Sequence, residues 1–197
     1  MTRFAEKLGR YEDLQNVRLT ISAILTAQSD KALLDKLSAE LTRQLSSELH
    51  DDLDALVSAL EGLSPGLRAM AVTYQLDVSM ALDDLGWHFA NWHHRLYCDE
   101  TSRGLRELGA NEVAELYDSA YQAVLPYWDA IGDMLAVEFK IFSDWYHGSE
   151  LEKSLSPLNN RLWDICEQSK EFRLLKFWLD YARKFPERVV EQDSHSR

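Results

Sequence analysis

The sequence predicts an all-α protein, a single helical domain of about eight or nine helices. Its 197 residues include only 8 glycines and 4 prolines, and 46% of the residues are hydrophobic. Apolar residues recur at steps of three and four, and no segment alternates strictly between polar and apolar residues as a half-buried strand does. A chain of this length buries roughly two-thirds of its unfolded surface, which is enough for one core.

The N-terminal part, residues 1–62, is predicted to form leucine-striped helices. Neither glycine nor proline occurs from Tyr11 to Glu61. A stripe of leucines follows at helical spacing: Leu34, Leu37, Leu41, Leu45, Leu49, Leu53, Leu56 and Leu60. Such a stripe indicates one or two helices that pack on the rest of the domain, with a coiled coil as the alternative. Ser29 or Asp30 is the expected N-cap.

Residues 64–190 are predicted to form the helical core of the domain. Ser64 and Pro65 are typical of a helix start, because Ser can cap the helix and Pro is favoured at its first position. The first core helix is therefore expected over about residues 65–85, and Gly86 is expected to end it.

An aromatic and histidine-rich segment from Gly86 to Tyr97 is predicted to be a short helix or an ordered corner. Asp99 is expected to cap a further helix that runs to about Leu108. Gly109 then serves as the C-terminal cap, and Asn111 begins the next helix.

Proline and glycine residues indicate where the remaining helices begin and end. Three are expected: about residues 127–146 between Pro126 and His147-Gly148, Leu158–Cys166 after Ser156-Pro157, and about Lys170–Lys184 before Phe185-Pro186.

The negative charge is concentrated in the middle of the chain. The whole chain carries a formal charge of −12, and the stretch from Glu61 to Glu150 has fifteen acidic against five basic residues, a net of −10. The stretch from Leu151 to Arg197 has a net of +1. An acidic chain lacks the cations that phosphate contacts require, which argues against nucleic acid and anionic membranes as partners. An acidic chain suits a basic protein surface or a cation as its partner. The alternative is that the charge only maintains solubility.

Several acidic residues are three or four positions apart on predicted helices. These pairs are Glu48 with Asp52, Glu112 with Glu115, and Asp129 with Asp133. Their carboxylates are expected about 5–6 Å apart, while each DNA strand carries one charge per roughly 3.4 Å of axis. A rigid helical scaffold with such rows fits a DNA-reading protein surface; the alternative is a solvated acidic face without a partner.

No motif predicts an enzyme or a cofactor. Asp84, His88 and His93 have side chains that suit a metal, but their spacing matches no named metal motif. The competing explanation is that these side chains wedge an aromatic corner against the core. Cys98 lies near His94 in the sequence, yet a Cys near a His outside a known motif is usually a packing feature.

The cysteines and the N-terminus bear on the compartment. Cys98 and Cys166 form no CxxC motif and are expected to be free thiols in a reducing compartment. The chain shows no apolar signal core and no apolar run long enough to span a membrane. A soluble, cytoplasmic protein is expected.

Four sequence segments resemble one family. They are Tyr74-Gln-Leu-Asp-Val leading to Gly86-Trp-His-Phe-Ala-Asn91, Arg103-Gly-Leu-Arg-Glu-Leu-Gly-Ala-Asn-Glu-Val-Ala-Glu-Leu, Leu158-Asn-Asn-Arg-Leu-Trp, and Leu174 through Pro186-Glu. Through them, residues 67–125 and 158–189 resemble the bacterial DNA-mimic-protein-like helical family, catalogued as a domain of unknown function. The resemblance implies an all-helical, often dimeric protein, and one characterised member is an acidic DNA mimic that occupies a transcriptional regulator. It assigns no binding residue to this chain.

Three functional hypotheses follow. The first is a non-enzymatic acidic protein that engages a basic protein surface, such as that of a DNA-binding regulator. Its candidate contact residues are Asp99, Glu100, Glu107, Glu112, Glu115 and Asp118. The second is a metal-binding helical protein that uses Asp84, His88 and His93. The third is an immunity-type inhibitor of a basic toxin.

Overall fold

The computed structural model describes residues 18–46, 49, 52–169 and 171–190. These residues form α-helices joined by short turns, without a β-strand among them, which confirms the predicted all-α class. In chain order the helices are α1 Ile21–Leu25, α2 Asp30–Gln44, α3 Leu53–Leu60, α4 Pro65–Leu82, α5 Leu85–Asn91, α6 Arg95–Glu107, α7 Asn111–Val124, α8 Trp128–Val137, α9 Phe139–Tyr146, α10 Glu150–Gln168 and α11 Leu175–Lys184. Short 3₁₀ turns cover Leu125–Tyr127 and Pro186–Arg188.

Helix α4 is the central element of the bundle. Ten of its residues are buried, and it packs most extensively on α6. The two helices approach closely at Gly104, where an added Cβ would lie 2.6 Å from Cγ2 of Val72 and 3.1 Å from Cα of Ala69. A side chain larger than hydrogen would push α6 away from α4, so the glycine determines the spacing that positions the acidic side chains of α6.

The leucine stripe forms two helices that pack on the rest of the protein. Leu37 of α2 and Leu56 and Leu60 of α3 are buried, and the other leucines of the stripe are half-buried. The hydroxyl of Ser29 accepts from the backbone N–H of Ala32 and so caps α2. The described leucines therefore lie on helices that pack on the rest of the protein, while residues 1–17 of the predicted N-terminal part lie outside the described residues. Glu48 lies outside the described residues, so its expected pairing with Asp52 stays a prediction.

Several predicted boundaries are wrong around the corner after α4. Helix α4 ends at Leu82, and Asp84 caps α5 by accepting from the N–H of Trp87 at 3.1 Å. Gly86 therefore lies inside α5 and does not end α4. Asp99 likewise lies inside α6, because the N-cap of that helix is His94.

Helix α4 begins at Pro65 as predicted, but the Ser64 hydroxyl and Pro157 have roles other than those expected. The hydroxyl of Ser64 makes no cap; it donates to the carbonyl oxygen of Val189 at 2.8 Å and fixes the C-terminal turn to the start of α4. Pro157 lies inside α10. Proline has no N–H, so the helical hydrogen bond to the carbonyl oxygen of Lys153 is missing. Because this turn is exposed, solvent can bond to that carbonyl oxygen instead.

Two predicted helices have different limits. The segment expected as one helix over residues 127–146 is divided into α8 and α9 at Glu138, whose backbone is extended. The last helix begins at Leu175, later than predicted, and Lys170 lies outside the described residues. The stops at Gly109, at His147-Gly148 and before Pro186 are confirmed, and Gly109 has φ +76°, which favours glycine.

Within the described ranges, no helix is long and apolar enough to cross a bilayer. Cys98 and Cys166 are both buried free thiols, as predicted.

Candidate acidic interface

The six candidate contact residues lie on α6 and α7, which pack against each other. Helix α6 begins where the His94 ring accepts from the N–H of Tyr97 at 3.2 Å. Gly109 and Ala110 then reverse the chain, since the positive φ of Gly109 lets α7 start after a two-residue turn beyond Leu108. The acidic side chains of both helices are thereby fixed to a rigid scaffold.

Glu100 is a structural residue and not a surface contact. Only 4% of it is exposed, and its carboxylate accepts from Nε of Arg68 at 2.7 Å and also pairs with Arg103. Glu100 faces α4 because its position on α6 falls on the buried side of the helix, between Tyr97 and Gly104. Because it is buried and paired, we leave Glu100 out of the contact residues proposed below.

Three further candidates already have an arginine partner. Glu107 lies 2.7 Å from the Arg188 guanidinium and accepts from the Tyr181 hydroxyl. Glu112 pairs with Arg161 of α10. Asp118 pairs with Arg106 of α6 and accepts from the Ser102 hydroxyl at 2.6 Å. Salt bridges at exposed and half-buried surface positions are generally weak, so they reduce the negative potential here without removing it.

Asp99 and Glu115 remain free of ion pairs with any other described residue, and both are exposed. Asp99 lies on α6 and Glu115 on α7, between Glu112 and Asp118 on the outward face. These two carboxylates are the strongest sources of unbalanced charge among the six.

The acidic middle part and the basic C-terminal part of the chain are separate in the sequence, but folding brings their charges together. Arginines of the last quarter of the chain pair with acids of the middle and the N-terminal part: Arg161 with Glu112, Arg173 with Asp77, Arg188 with Glu107 and Arg183 with Asp30. The fold therefore uses the basic C-terminal residues to balance part of the acidic surface.

An excess of carboxylates remains because most described lysines and arginines are already in ion pairs. Exposed acids without an ion pair to another described residue include Asp99 on α6, Glu115 on α7, Asp133 on α8, Glu138 after it, and Asp164 and Glu167 on α10. Others flank α3, α4 and α11, namely Asp52, Glu61, Asp83, Glu171 and Glu187. Asp129, next to Asp133, lies 3.6 Å from Arg95, and both side chains are largely exposed. The surface is negative over several helices, not along one row.

Sequence reasoning did not single out Asp164 and Glu167. The predicted helix over Leu158–Cys166 ended before Glu167, so the two acids were not recognised as neighbours in one last turn. The available signal was the presence of acids where the end of a helix normally favours cations.

The structure does not bring Asp84, His88 and His93 together as a metal site. Asp84 caps α5 and accepts from the Tyr146 hydroxyl at 3.0 Å. His93 stacks on Trp128 and bonds to its carbonyl oxygen at 3.0 Å. In the part of the chain that the structure describes, no group of three His, Cys, Asp or Glu side chains could hold a metal ion. These side chains instead hold the aromatic segment from Gly86 to Tyr97 against the core, which was the alternative explanation.

His88 is fully buried against Ser79, with Nδ1 and the hydroxyl oxygen 3.0 Å apart. The hydroxyl donates its only hydrogen to the carbonyl of Gln75, so Nδ1 carries the proton and donates to the hydroxyl. Burial lowers the pKa of His88 to about 3. The ring is therefore neutral at physiological pH and has no access to a substrate.

Cys98 is not an activated nucleophile. Burial raises the pKa of its thiol to about 12, so the thiolate is absent at neutral pH. His94 caps α6, and its Nε2 faces Asp54 at 2.9 Å and not the sulfur of Cys98.

The fold and the surface together define a helical protein with a rigid framework and unbalanced carboxylates on several helices. The chain belongs to the DMP19-like protein family, whose model matches residues 61–184. This confirms the resemblance to the DNA-mimic-protein family given by the sequence motifs. Neither a curated protein nor a solved structure matches the chain.

Proposed function

We propose that this protein is a non-enzymatic acidic binding protein, and that as a DNA mimic it occupies the basic surface of a DNA-binding regulator. Membership of the DMP19-like family supports the proposal. The observation that carries it is the excess of exposed carboxylates that no described cation balances. A partner rich in lysine and arginine would supply the missing counter-charge.

The spacing of the acids on α7 supports mimicry of a nucleic-acid backbone. Glu112, Glu115 and Asp118 follow at three-residue steps, so each points about 60° round the helix from the one before. A helix rises about 1.5 Å per residue, so these carboxylates recur about every 4.5 Å along the axis. A DNA strand carries one charge per roughly 3.4 Å. The spacing of carboxylates on α7 and that of charges on DNA are similar enough for one row of cations on the partner to bind either of them.

The burial and ion pairs described above change the list of residues that we propose as contacts of the partner. We retain Asp99, Glu115, Glu112 and Asp118 as the α6–α7 acidic surface, with Glu107 at its edge. Glu112 and Asp118 would exchange an internal arginine for a cation of the partner, whereas Asp99 and Glu115 would gain a cation without losing one. Asp99 and Glu115 are therefore expected to contribute most.

Affinity capture from the native cell at low salt tests the proposal. The expected partner is a basic DNA-binding protein that is released both by salt and by duplex DNA, because charge attraction is screened and DNA competes for the same surface. Capture without such a partner, or binding that is indifferent to salt, would remove the proposal. A partner released by salt but not by DNA would instead support the immunity-type inhibitor.

A matched pair of variants locates the surface. Asp99→Lys with Glu115→Lys should weaken partner binding by about tenfold or more, since it reverses the two unbalanced charges. Glu61→Lys with Glu171→Lys makes the same change in net charge outside α6, α7 and the exposed residues 137–141. If both double variants weaken binding equally, the α6–α7 acidic surface is not the contact.

The family resemblance also implies self-association. Val137 is 75% exposed, and Phe139 and Ile141 beyond it are more than 40% exposed. We propose that these side chains form the contact between two copies. Light scattering should give the mass of a dimer for the native chain and that of a monomer for Ile141→Glu; a native monomer at high concentration would exclude this contact.

A further inference from the structure

The outward face of the last turns of α10 combines an exposed tryptophan with two carboxylates. Trp163 is 37% exposed, while the other five tryptophans of the chain are buried or half-buried. Asp164 and Glu167 are exposed and, together with Trp163, line a shallow depression. We call these three residues the α10 face.

The position of the indole has a structural reason. Nε1 of Trp163 donates to the carbonyl oxygen of Met80 at 3.1 Å. Met80 lies in the last turn of α4, where carbonyls lack an intrahelical partner, so this bond satisfies one of them. The bond holds the ring in one orientation while more than a third of the residue stays open to solvent.

No comparable contact with another described residue explains why two carboxylates lie beside this tryptophan. Asp164 and Glu167 lie three residues apart near the C-terminus of α10, which ends at Gln168. Like charges at this spacing repel, and the carbonyl end of a helix is itself partially negative, so both effects disfavour acids here. Neither acid forms an ion pair with another described residue. A cation from outside would relieve an unfavourable arrangement that the fold does not balance.

We propose that the α10 face binds an arginine side chain of a basic protein segment. A guanidinium can lie flat on an indole while its N–H groups donate to a carboxylate, and the face offers both within one helical turn. A lysine ammonium lacks the planar fork and benefits less. The assignment rests on the proposed function, because it names the side chain that the basic partner presents at a second place on the surface.

Titration with N-acetyl octaarginine amide and with octalysine tests the assignment. Both peptides carry the same charge, so general attraction to an acidic protein does not separate them. At low salt the full chain should bind octaarginine about threefold or more tighter than octalysine, a difference typical of a cation–π contact. Equal affinities would overturn the proposal.

Paired variants assign the effect to this face. Asp164→Asn with Glu167→Gln should raise the dissociation constant for octaarginine about fivefold. Glu61→Gln with Glu187→Gln removes the same charge before α4 and after α11, in segments that do not pack extensively on α10, and should raise the constant less than about twofold. Equal effects of the two pairs would show attraction by net charge alone and overturn the proposal.

Trp163→Leu provides an independent readout. It should abolish the preference for arginine over lysine while it leaves the remaining charge attraction in place. If thermal unfolding shows that this variant is not folded, the carboxylate pair decides the question by itself.

The two proposals fail in different ways. If Asp164→Asn with Glu167→Gln leaves affinity for the captured partner unchanged while Asp99→Lys with Glu115→Lys reduces it, the arginine assignment is wrong and the proposed function stands. If the peptide results are as expected but the cell yields no basic partner, the α10 face is supported and the proposed function is not.

Discussion

Replacement of Gly86 by alanine tests how the corner between α4 and α5 is held. A Cβ at this position would lie 2.2 Å from Cζ and from the hydroxyl oxygen of Tyr146, and 2.5 Å from Cε2. Carbon atoms in contact are ordinarily about 3.5–4.0 Å apart. The Tyr146 ring would therefore have to move by more than about 1 Å. The side chain is fully buried in the main hydrophobic cluster, so the movement would disturb its neighbours.

The expected cost has three parts. Overpacking of a core costs about 1–3 kcal/mol. The movement would also break the bond from the Tyr146 hydroxyl to Oδ2 of Asp84 at 3.0 Å, and a bond to a charged group contributes about 1.5–3 kcal/mol. Alanine inside a helix regains up to about 1 kcal/mol relative to glycine. We expect Gly86→Ala to lower the free energy of unfolding by about 2–4 kcal/mol.

Urea denaturation followed by circular dichroism measures this change. Gly62→Ala is the matched control, because a Cβ there would meet only the Ala59 carbonyl oxygen at an ordinary 3.5 Å, and it should change stability by less than about 0.5 kcal/mol. In a Tyr146→Leu background the alanine should cost less, since the clashing ring is gone. Equal costs for Gly62→Ala and Gly86→Ala, or an undiminished cost in that background, would refute the reasoning.

Three further predictions concern buried polar groups. Burial lowers the pKa of His88 to about 3, below its unfolded value, so the stability that neutral His88 provides is complete above about pH 6.5 and is lost as the pH falls towards 3. His88→Phe should flatten this decline by up to about 1.4 kcal/mol per pH unit in urea titrations, and an unchanged slope would contradict it. Glu100→Gln should lower stability by about 1–3 kcal/mol, because Arg68 loses its charged partner, yet leave partner affinity unchanged; the reverse result would restore Glu100 as a surface contact. Asp77→Ala removes the carboxylate that accepts from the N–H of Leu174 at 3.0 Å and should lower stability by about 2–3 kcal/mol in thermal or urea unfolding, whereas a neutral effect would show that solvent replaces the bond.

The fold class was predictable because helical periodicity and sparse glycine act locally. The stops at Gly109 and before Pro186 were predictable for the same reason, since each residue restricts its own backbone. Gly86 was misassigned because its role is tertiary: the ring of Tyr146, sixty residues later in the sequence, occupies the space of a side chain. Pro157 was misassigned because Ser-Pro has the same local preference at a helix start and in the exposed turn of a long helix.

The candidate site was predictable in composition but not in geometry. Acidic residues on predicted helices located Asp99 and Glu115 correctly as exposed groups. The burial of Glu100 depends on how α6 lies against α4, and spacing along one helix does not give that orientation. The arginine partners of Glu107 and Glu112 come from the last quarter of the chain, at separations that no local pattern reports.

The ion pairs divide the acidic residues into two groups with different consequences for function. Carboxylates such as Glu100 and Asp77 are fixed by arginines and backbone N–H groups, so a partner can reach them only by disturbing the fold. Carboxylates such as Glu115 and Glu167 form no ion pair with another described residue, so the fold does not use them as it uses the paired ones. Acids that the fold does not use are the ones through which a basic partner gains affinity, because binding removes repulsion without breaking an internal pair. Net charge alone therefore does not identify the interface; it is identified by the carboxylates that remain after the internal pairs are assigned.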